Sequence, residues 1–315
     1  MHVVSYTGYY DPTPIQDFLA SQANISYQIC QYKDELTEAL PKAEVLIALP
    51  FSEELLAQAP KLKWVQCLRA GVDGYPLSAM KARGIYLTNG KGIHRNHMAE
   101  YAIAMMILFA RNLHVFQRQQ QNSQWNRKVA QDEIYGKTLG ILGFGAIGDT
   151  LATRAKAMGM RVLALKRSPL ETDNVDAWYT PDQTSHFLQQ VDYLVNLLPN
   201  TPATTHALNA DSFTAMKDSA VLISIGRGKT VDEKALIQAL QTGQLRGLAA
   251  DVFETEPLPE DSPLWHMENV IITPHICGES IHYLEKSVEI LKENFPRFIK
   301  DPESLINRVN LDLGY

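Results

Sequence analysis

The chain has 315 residues, of which 45% are hydrophobic and 20% are charged, and its formal net charge is −6. These values are typical of a globular protein long enough for two domains, and they exclude a disordered chain. The acidic balance gives no reason to expect nucleic acid or an anionic membrane as a partner.

The cysteines, the N-terminus and the apolar runs bear on where the protein works. Its three scattered cysteines predict no disulfide framework. The first residues lack the charged and apolar regions of a signal peptide. The longest nearly apolar run, 101–110, is about half as long as a bilayer-spanning helix. We therefore expect a cytoplasmic protein of enzyme size without a membrane partner.

The first part of the chain alternates short apolar runs with helix-like segments, which predicts a small parallel sheet with helices on its faces. A long helix is then expected over 97–113 with Asn96 as its N-cap, followed by an exposed, Gln-rich loop over 117–124. The predicted strands are 2–6, 45–49, 64–68 and 85–87, and the predicted helices are 14–20, 35–40, 53–58 and 77–81.

A second alternating series begins at Lys137. A final helix runs from about 280 to Phe295, where Pro296 interrupts it, and the tail 305–315 returns beyond it. We find no internal repeat of solenoid type, only two α/β modules. The predicted strands of this series are 138–142, 161–165, 193–198, 220–225, 247–251 and 270–273, and its helices are 149–158, 185–190, 210–216 and 232–241.

Three glycines follow the first strand of this series directly. Gly143 suits a tight turn, Gly145 lets the backbone approach a pyrophosphate, and Gly148 lets the next helix pack on the strand. The pyrophosphate would lie at the helix N-terminus, where N–H groups and the dipole favour an anion. Strand, turn, helix and second strand fit within about 30 residues, as a βαβ unit requires. The pattern predicts a dinucleotide-binding turn.

The end of the next strand reads Lys166-Arg167-Ser168. A carboxylate at this point would accept hydrogen bonds from the ribose 2′-hydroxyl and repel a 2′-phosphate. Two cations and a hydroxyl would do the reverse. We therefore expect the cofactor to be NADP(H) and not NAD(H).

Polar residues also follow three later strands, at the strand ends where open α/β sheets bind ligands. They are Arg227, the segment from Asp251 to Glu256, and His275. A guanidinium can hold the carboxylate of a 2-oxo acid and polarise its carbonyl. An imidazole can exchange a proton with the oxygen of that carbonyl, and a carboxylate on its far nitrogen favours the protonated form. Glu254 is the alternative to Glu256, but the Glu-Pro-Leu-Pro context favours Glu256.

These residues closely resemble the D-isomer-specific 2-hydroxyacid dehydrogenase family over nearly the whole chain. The resemblance departs from most of that family at Lys166, where an Asp is usual, which bears on the cofactor and not on the reaction. The matching stretches are Arg69-Ala-Gly-Val-Asp73, Met98-Ala-Glu-Tyr101, 135–148, 198–204, Ile225-Gly-Arg-Gly228, 251–259 and Asn269-Val-Ile-Ile-Thr-Pro-His275.

The resemblance implies a fold and a set of roles. Two Rossmann-like or flavodoxin-like α/β domains with parallel sheets are expected, with the coenzyme domain (97–280) inserted into the catalytic, substrate-binding domain (1–96 plus 281–315). A homodimer built on the coenzyme domains is implied too. In the implied site Arg227 binds the substrate carboxylate with backbone amides of Ala70, Gly71 and Val72, His275 is the acid/base, and Glu256 is its partner.

The implied cofactor cleft draws on several loops of the coenzyme domain. Its residues are Gly143, Gly145, Ala146, Ile147, Gly148, Lys166, Arg167, Ser168, Leu198, Pro199, Thr204, Ile225, Gly226, Asp251, His275 and Gly278. For the substrate side chain, Phe51 after a strand and Tyr75 after the Gly-Val-Asp turn suggest a bulky apolar wall. That wall would favour a 2-oxo acid with an apolar side chain over glyoxylate. No metal site is expected, since the sequence shows no ligand cluster.

Other functions are weighed against an NADPH-dependent 2-oxo acid reductase. A dinucleotide-sensing interaction protein, similar to the C-terminal binding protein corepressors, would keep the same catalytic residues, but the chain has no long polar tail. Within the family, a hydroxypyruvate or glyoxylate reductase and a phosphoglycerate dehydrogenase remain alternatives. The latter normally carries additional C-terminal regulatory sequence. A formate dehydrogenase would need a different set of active-site residues.

Overall fold

The computed structural model describes residues 1–168 and 172–314. The chain divides into two compact units, and the second interrupts the first in sequence. Unit 1 comprises Met1–His94 and Ser280–Tyr315, and unit 2 comprises Arg95–Glu279. The boundaries that we expected from the sequence, 96/97 and 280/281, lie next to these. Residue 315, at the end of the expected tail, lies outside the described residues.

Strands and helices alternate in both units. The strands are β1 (His2–Tyr6), β2 (Ser26–Cys30), β3 (Val45–Ala48), β4 (Trp64–Cys67), β5 (Tyr86–Thr88), β6 (Thr138–Leu142), β7 (Arg161–Leu165), β8 (Ala177–Tyr179), β9 (Tyr193–Asn196), β10 (Val221–Ser224), β11 (Gly247–Ala250) and β12 (Val270–Ile272). The helices are α1 (Thr13–Ala20), α2 (Lys33–Ala39), α3 (Glu53–Ala57), α4 (Leu77–Ala82), α5 (Arg95–Ala110), α6 (Leu113–Gln121), α7 (Ala146–Ala157), α8 (Thr184–Leu188), α9 (Ala210–Ala215), α10 (Glu233–Thr242) and α11 (Tyr283–Lys300).

Unit 1 contains a five-stranded parallel sheet in the order β2-β1-β3-β4-β5. This is the flavodoxin-like order. Successive residues of a strand face opposite sides, so Val3 and Trp64 belong to one core cluster while Val4 and Val65 belong to the other. Both faces of the sheet are therefore covered, as the near-continuous apolar strands predict.

Unit 2 contains a seven-stranded parallel sheet in the order β12-β11-β10-β9-β6-β7-β8. Taken in chain order this is the Rossmann arrangement, in which the strand order reverses between β6 and β9. The glycine-rich turn follows β6, so it lies at the point where such sheets bind dinucleotides. The predicted fold class, two parallel α/β units of Rossmann-like and flavodoxin-like type, is confirmed.

Two predictions, the helix over 97–113 and the loop over 117–124, need correction. The helix expected over 97–113 begins at Arg95, so Asn96 lies inside it and is not its N-cap, and it ends at Ala110. Asn112 adopts a left-handed backbone conformation (φ +47°) and separates α5 from α6. Much of the Gln-rich segment expected as a loop is therefore helical, up to Gln121. Helix α6 therefore occupies much of the segment that we expected to be a loop.

Helix α11 runs through Pro296 and does not stop there. Proline lacks an N–H group and so removes one helical hydrogen bond. Phe295 and Phe298 are nevertheless both buried in the unit 1 core, with Phe295 packed edge-on against Phe18. The burial of these two rings on either side of Pro296 outweighs the lost hydrogen bond.

Candidate active site

The turn after β6 has the geometry that a dinucleotide requires. Gly143 has a left-handed backbone (φ +89°), and a Cβ there would lie 3.1 Å from the Leu197 carbonyl carbon and the Leu198 nitrogen. A Cβ on Gly148 would lie 3.3 Å from side-chain atoms of Ile141 and Phe144. Glycine at these positions lets the turn lie against the loop after β9 and lets α7 pack closely on β6.

The N-terminus of α7 faces open space. Gly145 is its N-cap, and no side chain among the described residues caps it. A Cβ added to Gly145 would meet nothing within 4 Å in the described part of the chain. Ala146 and Ile147, in the first turn, are half-buried. The uncapped N–H groups of this 12-residue helix beside unfilled space fit a pyrophosphate.

Lys166, Arg167 and Ser168 lie directly after β7. The Lys166 backbone N–H donates to the Tyr179 carbonyl (3.0 Å), which fixes the start of the segment. Lys166 is half-buried, and Arg167 and Ser168 are exposed. In a Rossmann sheet this position, beside the glycine-rich turn, is where the adenosine ribose is bound. The three residues of the predicted ribose-binding segment are therefore placed beside the glycine-rich turn.

The loop that carries Arg227 is packed between two other loops. A Cβ on Gly226 would lie 2.7 Å from the Leu198 carbonyl oxygen, and one on Gly228 would lie 1.8 Å from the Phe253 carbonyl oxygen. Both positions therefore require glycine. Arg227 itself is half-buried, and its Nη1 donates to the Gly226 carbonyl (2.9 Å). The glycines bring the loop of Arg227 against the segment that leads to the predicted acidic residue.

His275 and Glu256 form a direct pair. His275 Nδ1 donates to Glu256 Oε2 at 2.6 Å. Glu256 Oε1 accepts a hydrogen bond from the Phe253 backbone N–H (3.0 Å), so both carboxylate oxygens are engaged. Because Nδ1 donates to the carboxylate, Nε2 is the ring nitrogen that can exchange a proton with a ligand. The structure pairs His275 with Glu256, while Glu254 contacts His206 instead.

Asp251 holds the turn that carries His275. Its fully buried carboxylate accepts hydrogen bonds from the Thr273 hydroxyl (2.5 Å) and from the backbone N–H groups of Ile276 and Cys277 (2.9 Å each). Thr273 is hydrogen-bonded in turn to the Tyr101 hydroxyl (2.7 Å). A buried carboxylate is stable when several donors compensate for lost hydration. Asp251 therefore fixes the backbone on both sides of the imidazole.

His275 adopts a backbone conformation that residues with a side chain seldom occupy (φ +55°). Such a conformation costs on the order of 1 kcal/mol and persists because surrounding contacts impose it. The His275 N–H donates to the Asp251 carbonyl (2.9 Å) as part of those contacts. Cys277, two residues on, is buried, and burial followed by the nearby Asp251 charge raises the pKa of its thiol. A reactive thiol is not supported there.

Several supporting residues were missed by sequence reasoning. Buried Asn196, at the end of β9, donates to the hydroxyls of Ser224 and Thr230 and accepts from the Leu198 N–H, so it ties together the loops after β9 and β10. The sequence signal that could have revealed this role is an asparagine at the end of a buried apolar strand. Thr204, by contrast, was predicted for the cofactor cleft, and its Oγ1 donates to the carbonyl of Pro199, another predicted residue (2.6 Å).

A second histidine–carboxylate pair braces the segment before Glu256. His206 Nε2 lies 2.8 Å from Glu254 Oε1. Glu254 and Glu233 each accept a hydrogen bond from the backbone N–H of the other, at 3.2 and 3.1 Å. Burial and the neighbouring Glu254 carboxylate raise the pKa of Glu233, although the Glu254 N–H opposes that rise. This bracing lies within a few residues of Glu256.

The remaining cofactor residues predicted from the sequence also follow strands of unit 2. Leu198 is half-buried and Pro199 is exposed after β9, while Ile225 and Gly226 are buried after β10. The Gly278 carbonyl accepts a hydrogen bond from His97 Nε2 (3.0 Å). All these residues are therefore placed at the carboxyl edge of one sheet.

In unit 1, the segment Ala70-Gly71-Val72 follows β4 and is held from several sides. The Asn89 amide donates to the Ala70 carbonyl (2.7 Å), and the Gly90 N–H donates to the Arg69 carbonyl (2.7 Å). Ala70 and Gly71 are half-buried, while Val72 packs in the core. The backbone of the segment is thus fixed in place.

Phe51 and Tyr75 lie in the core below this segment. They are 5% and 7% exposed, and their rings meet edge to face with centroids 5.3 Å apart. The Tyr75 hydroxyl donates to the Ala48 carbonyl (2.5 Å), and both rings belong to the same cluster as Val72. They do not form an exposed apolar wall. The reason for expecting a substrate with an apolar side chain is therefore removed.

The chain belongs to the D-isomer specific 2-hydroxyacid dehydrogenase family. Residues 103–277 match the NAD binding domain of that family. The glyoxylate reductase of Korarchaeum cryptofilum is 33% identical over 304 residues, which cover 90% of each chain.

Solved structures agree with this assignment. A D-isomer specific 2-hydroxyacid dehydrogenase family protein from Aeromonas salmonicida is 34% identical, covers 99% of each chain and has a TM-score of 0.89. An NADPH-dependent glyoxylate/hydroxypyruvate reductase from Sinorhizobium meliloti, solved with NADP and sulfate, is 27% identical with a TM-score of 0.87 over the full length of both chains. The protein is thus an oxidoreductase with a domain of the type that binds nicotinamide dinucleotides. Among the helices of the described residues, none has the length and apolar character needed to cross a membrane.

Proposed function

We propose that this protein uses NADPH to reduce a 2-oxo acid to the (D)-2-hydroxy acid, reversibly, with Arg227, Glu256 and His275 as its catalytic residues. The observation that carries the proposal is the 2.6 Å hydrogen bond from His275 Nδ1 to Glu256, at the carboxyl edge of a Rossmann sheet. NADPH, when bound, supplies the hydride that adds to the carbonyl carbon.

His275 supplies the proton. With Nδ1 committed to Glu256, protonated Nε2 donates to the carbonyl oxygen as that oxygen gains negative charge. Glu256 accepts the Nδ1–H and so keeps the ring in one orientation. In the reverse direction neutral Nε2 accepts the hydroxyl proton of the 2-hydroxy acid. One hydride and one proton convert the carbonyl into the alcohol.

Arg227 and the Ala70–Val72 segment are proposed to hold the substrate carboxylate. A guanidinium can form two parallel hydrogen bonds to a carboxylate and stabilise charge that develops on the adjacent oxygen. The backbone N–H groups of Ala70, Gly71 and Val72 would hold the other carboxylate oxygen. We propose that buried Phe51 and Tyr75 support this segment from below.

The preference for NADPH is proposed from Lys166, Arg167 and Ser168. Two cations and a hydroxyl can neutralise and hydrogen-bond a 2′-phosphate. The phosphates of the cofactor would lie at the N-terminus of α7, beside Gly145. The Sinorhizobium meliloti reductase was solved with NADP, which supports the proposal.

We further propose a cytoplasmic homodimer. The three cysteines are free and buried, as expected where thiols stay reduced. Trp125, after α6, is 92% exposed, and Leu113 at the start of α6 is 49% exposed. Large exposed apolar side chains mark surfaces that associate with other chains.

Steady-state turnover with a panel of 2-oxo acids and both cofactors tests the proposed function. Reduction of at least one 2-oxo acid by NADPH, and loss of nearly all turnover in His275→Ala with NADPH binding retained, are the expected results. Removal of a general acid typically costs about 10²- to 10⁴-fold in rate. A His275→Ala variant that turns over at the wild-type rate would refute the assigned role, and the absence of any 2-oxo acid reduction would refute the activity.

A further inference from the structure

Helix α5 is connected to the turn that carries His275 through one tyrosine. Tyr101 lies in the sequence stretch Met98-Ala-Glu-Tyr101, to which the proposed reaction assigns no role. Its ring packs against the core of unit 2. Its hydroxyl lies 2.7 Å from the Thr273 hydroxyl, which lies 2.5 Å from Asp251 Oδ1. All of these residues belong to unit 2. We call Tyr101, Thr273 and Asp251 the Tyr101 network.

The direction of each hydrogen bond in the Tyr101 network follows from the hydrogens that are available. An ionised carboxylate only accepts hydrogen bonds, so the single hydrogen of the Thr273 hydroxyl points to Asp251. The Thr273 oxygen then offers only lone pairs to Tyr101, so the phenol is the donor. Burial raises the pKa of Tyr101 to about 12, and the phenol therefore keeps its hydrogen at neutral pH.

The other end of the network shapes the backbone of the His275 turn. The Asp251 carboxylate also accepts hydrogen bonds from the N–H groups of Ile276 and Cys277 (2.9 Å each). The His275 N–H is shared between the carbonyls of Asp251 (2.9 Å) and Thr273 (3.1 Å). These bonds hold His275 at φ +55°. A shift of the Thr273 hydroxyl or of the Asp251 carboxylate therefore moves the backbone that orients the imidazole.

The place of the network distinguishes it from an ordinary contact of the core. A partly buried tyrosine hydroxyl usually finds a hydrogen-bond partner, and such a bond can serve stability alone. Here the partner leads to a fully buried carboxylate, where the loss of a donor has a large effect. The Thr273 hydroxyl and the two backbone N–H groups that Asp251 binds all belong to the His275 turn. A weakened network would therefore alter that turn first.

We propose that Tyr101 and Thr273 are positioning residues for the proton donor. The hydrogen bond from Tyr101 fixes the Thr273 hydroxyl on Asp251. Asp251 in turn holds the turn so that His275 Nε2 points at the carbonyl oxygen of the substrate. The proposal rests on the proposed function, which assigns the proton to His275. Glu256 holds the imidazole ring, and the Tyr101 network holds the backbone beneath it.

The test measures kcat and KM at saturating NADPH for the 2-oxo acid that the wild type reduces fastest. Tyr101→Phe should lower kcat by about 3- to 10-fold, the effect of one hydrogen bond. Thr273→Val should lower kcat by about tenfold or more, because it removes a donor from the buried carboxylate. KM should change little in both variants, since the alignment of the proton donor matters in the transition state.

The solvent isotope effect separates a positioning role from a structural one. The ratio of kcat in H2O to kcat in D2O should rise in Tyr101→Phe, because a misaligned donor makes proton transfer more rate-limiting. A smaller folded fraction would lower kcat and leave this ratio as it is. Thr273→Ser keeps the hydroxyl and should keep most of kcat and the wild-type ratio. The matched control is Tyr86→Phe, which removes a half-buried hydroxyl of unit 1 that donates to Glu303 at 2.7 Å.

A double variant tests whether Tyr101 acts through Thr273. The kcat of Tyr101→Phe combined with Thr273→Val should equal that of Thr273→Val alone, because the hydroxyl on which Tyr101 acts is then missing. Losses that multiply in the double variant would overturn the proposal. If Thr273→Val does not fold, Tyr101→Phe and Thr273→Ser still decide the question.

The outcomes distinguish this proposal from the reaction itself. A Tyr101→Phe variant with the wild-type kcat and isotope ratio would overturn the positioning role. So would a lower kcat with an unchanged ratio, since the hydroxyl would then serve the fold alone. In either case the reduction of 2-oxo acids by the wild type would still stand. If the wild type reduces no 2-oxo acid at all, the proposed function fails and the positioning role fails with it.

Discussion

At the scale of single residues, the polar groups proposed for the reaction could be located from the sequence because each follows an apolar strand. Arg227, Glu256 and His275 all stand at or soon after such strand ends, where parallel sheets bind ligands. What could not be foreseen is how they are held. The three hydrogen bonds that Asp251 accepts join positions 22 to 26 residues away, and no local pattern reports such contacts.

The pairing of Glu256 with His275 fixes how the imidazole is oriented. In Glu256→Gln the Nδ1–H loses its carboxylate acceptor, so the ring is held less firmly with Nε2 free for the substrate, and kcat/KM for reduction should fall by at least about tenfold. The measurement is kcat/KM for the 2-oxo acid at saturating NADPH. Glu260→Gln, a nearby exposed acidic residue, is the control and should leave kcat/KM unchanged. A Glu256→Gln variant with the wild-type kcat/KM would show that the pair does not position His275.

Cofactor choice is tested at Lys166 and Arg167. Replacing them with Asp and Ser removes the proposed cations, so KM for NADPH should rise by about 10- to 100-fold, the effect of losing charge-assisted hydrogen bonds. KM for NADH should change much less. Lys156 and Arg161, charged residues of the same unit outside the segment, provide control substitutions. Equal catalytic efficiency of the unmodified enzyme with both cofactors would contradict the proposed role.

At the scale of elements, the buried strands and most helices follow from the sequence, while edges and interruptions do not. Strand β2 was not predicted because its first three residues are exposed and it shows no apolar run. Strand β8 at the other sheet's edge is only three residues long. Helix α11 continues through Pro296 because the core around Phe295 and Phe298 overrides the local signal. Where the local propensity for a helix or strand is weak, tertiary packing thus decides whether the element forms.

The bracing between Glu233 and Glu254 should make stability depend on pH. A raised pKa means that the folded state binds the Glu233 proton more tightly than the unfolded chain does. Protonation of Glu233 therefore stabilises the folded state at pH values below the ordinary pKa of a glutamate. This stabilisation is lost as the pH rises through the raised pKa. Glu233→Gln removes this titration, so its stability relative to the wild type should increase from pH 4 to pH 8.

Urea unfolding of both proteins across that pH range measures the effect. At pH 8 we expect the free energy of unfolding of Glu233→Gln to exceed that of the wild type by less than about 1 kcal/mol, because the half-exposed carboxyl is screened by solvent. Glu289→Gln, an exposed acid of α11 that pairs with Lys292, is the control and should show no such trend. A difference between Glu233→Gln and the wild type that falls with increasing pH would contradict the prediction.

At the scale of the whole molecule, we expect the chain to self-associate through helix α6 and the residues that follow it up to Trp125. Trp125→Ser removes a 92% exposed aromatic side chain, which should weaken the dimer and leave unit 2 folded. Sedimentation velocity at micromolar concentration measures the mass of wild type and variant. Trp265→Ser, at another exposed tryptophan, is the control. A wild-type monomer at that concentration would refute the homodimer.

The order in which unit 1 is assembled along the chain has a consequence for biosynthesis. One face of its sheet, which includes Trp64, is covered by Leu284, Val288, Leu291 and Phe295 of α11. Those residues leave the ribosome only after all of unit 2, which takes roughly 10 to 40 s at common translation rates. Unit 2 has its own sheet and core and can fold in that interval. The early strands meanwhile expose part of an apolar face, so we expect chaperones that act on nascent chains to bind it.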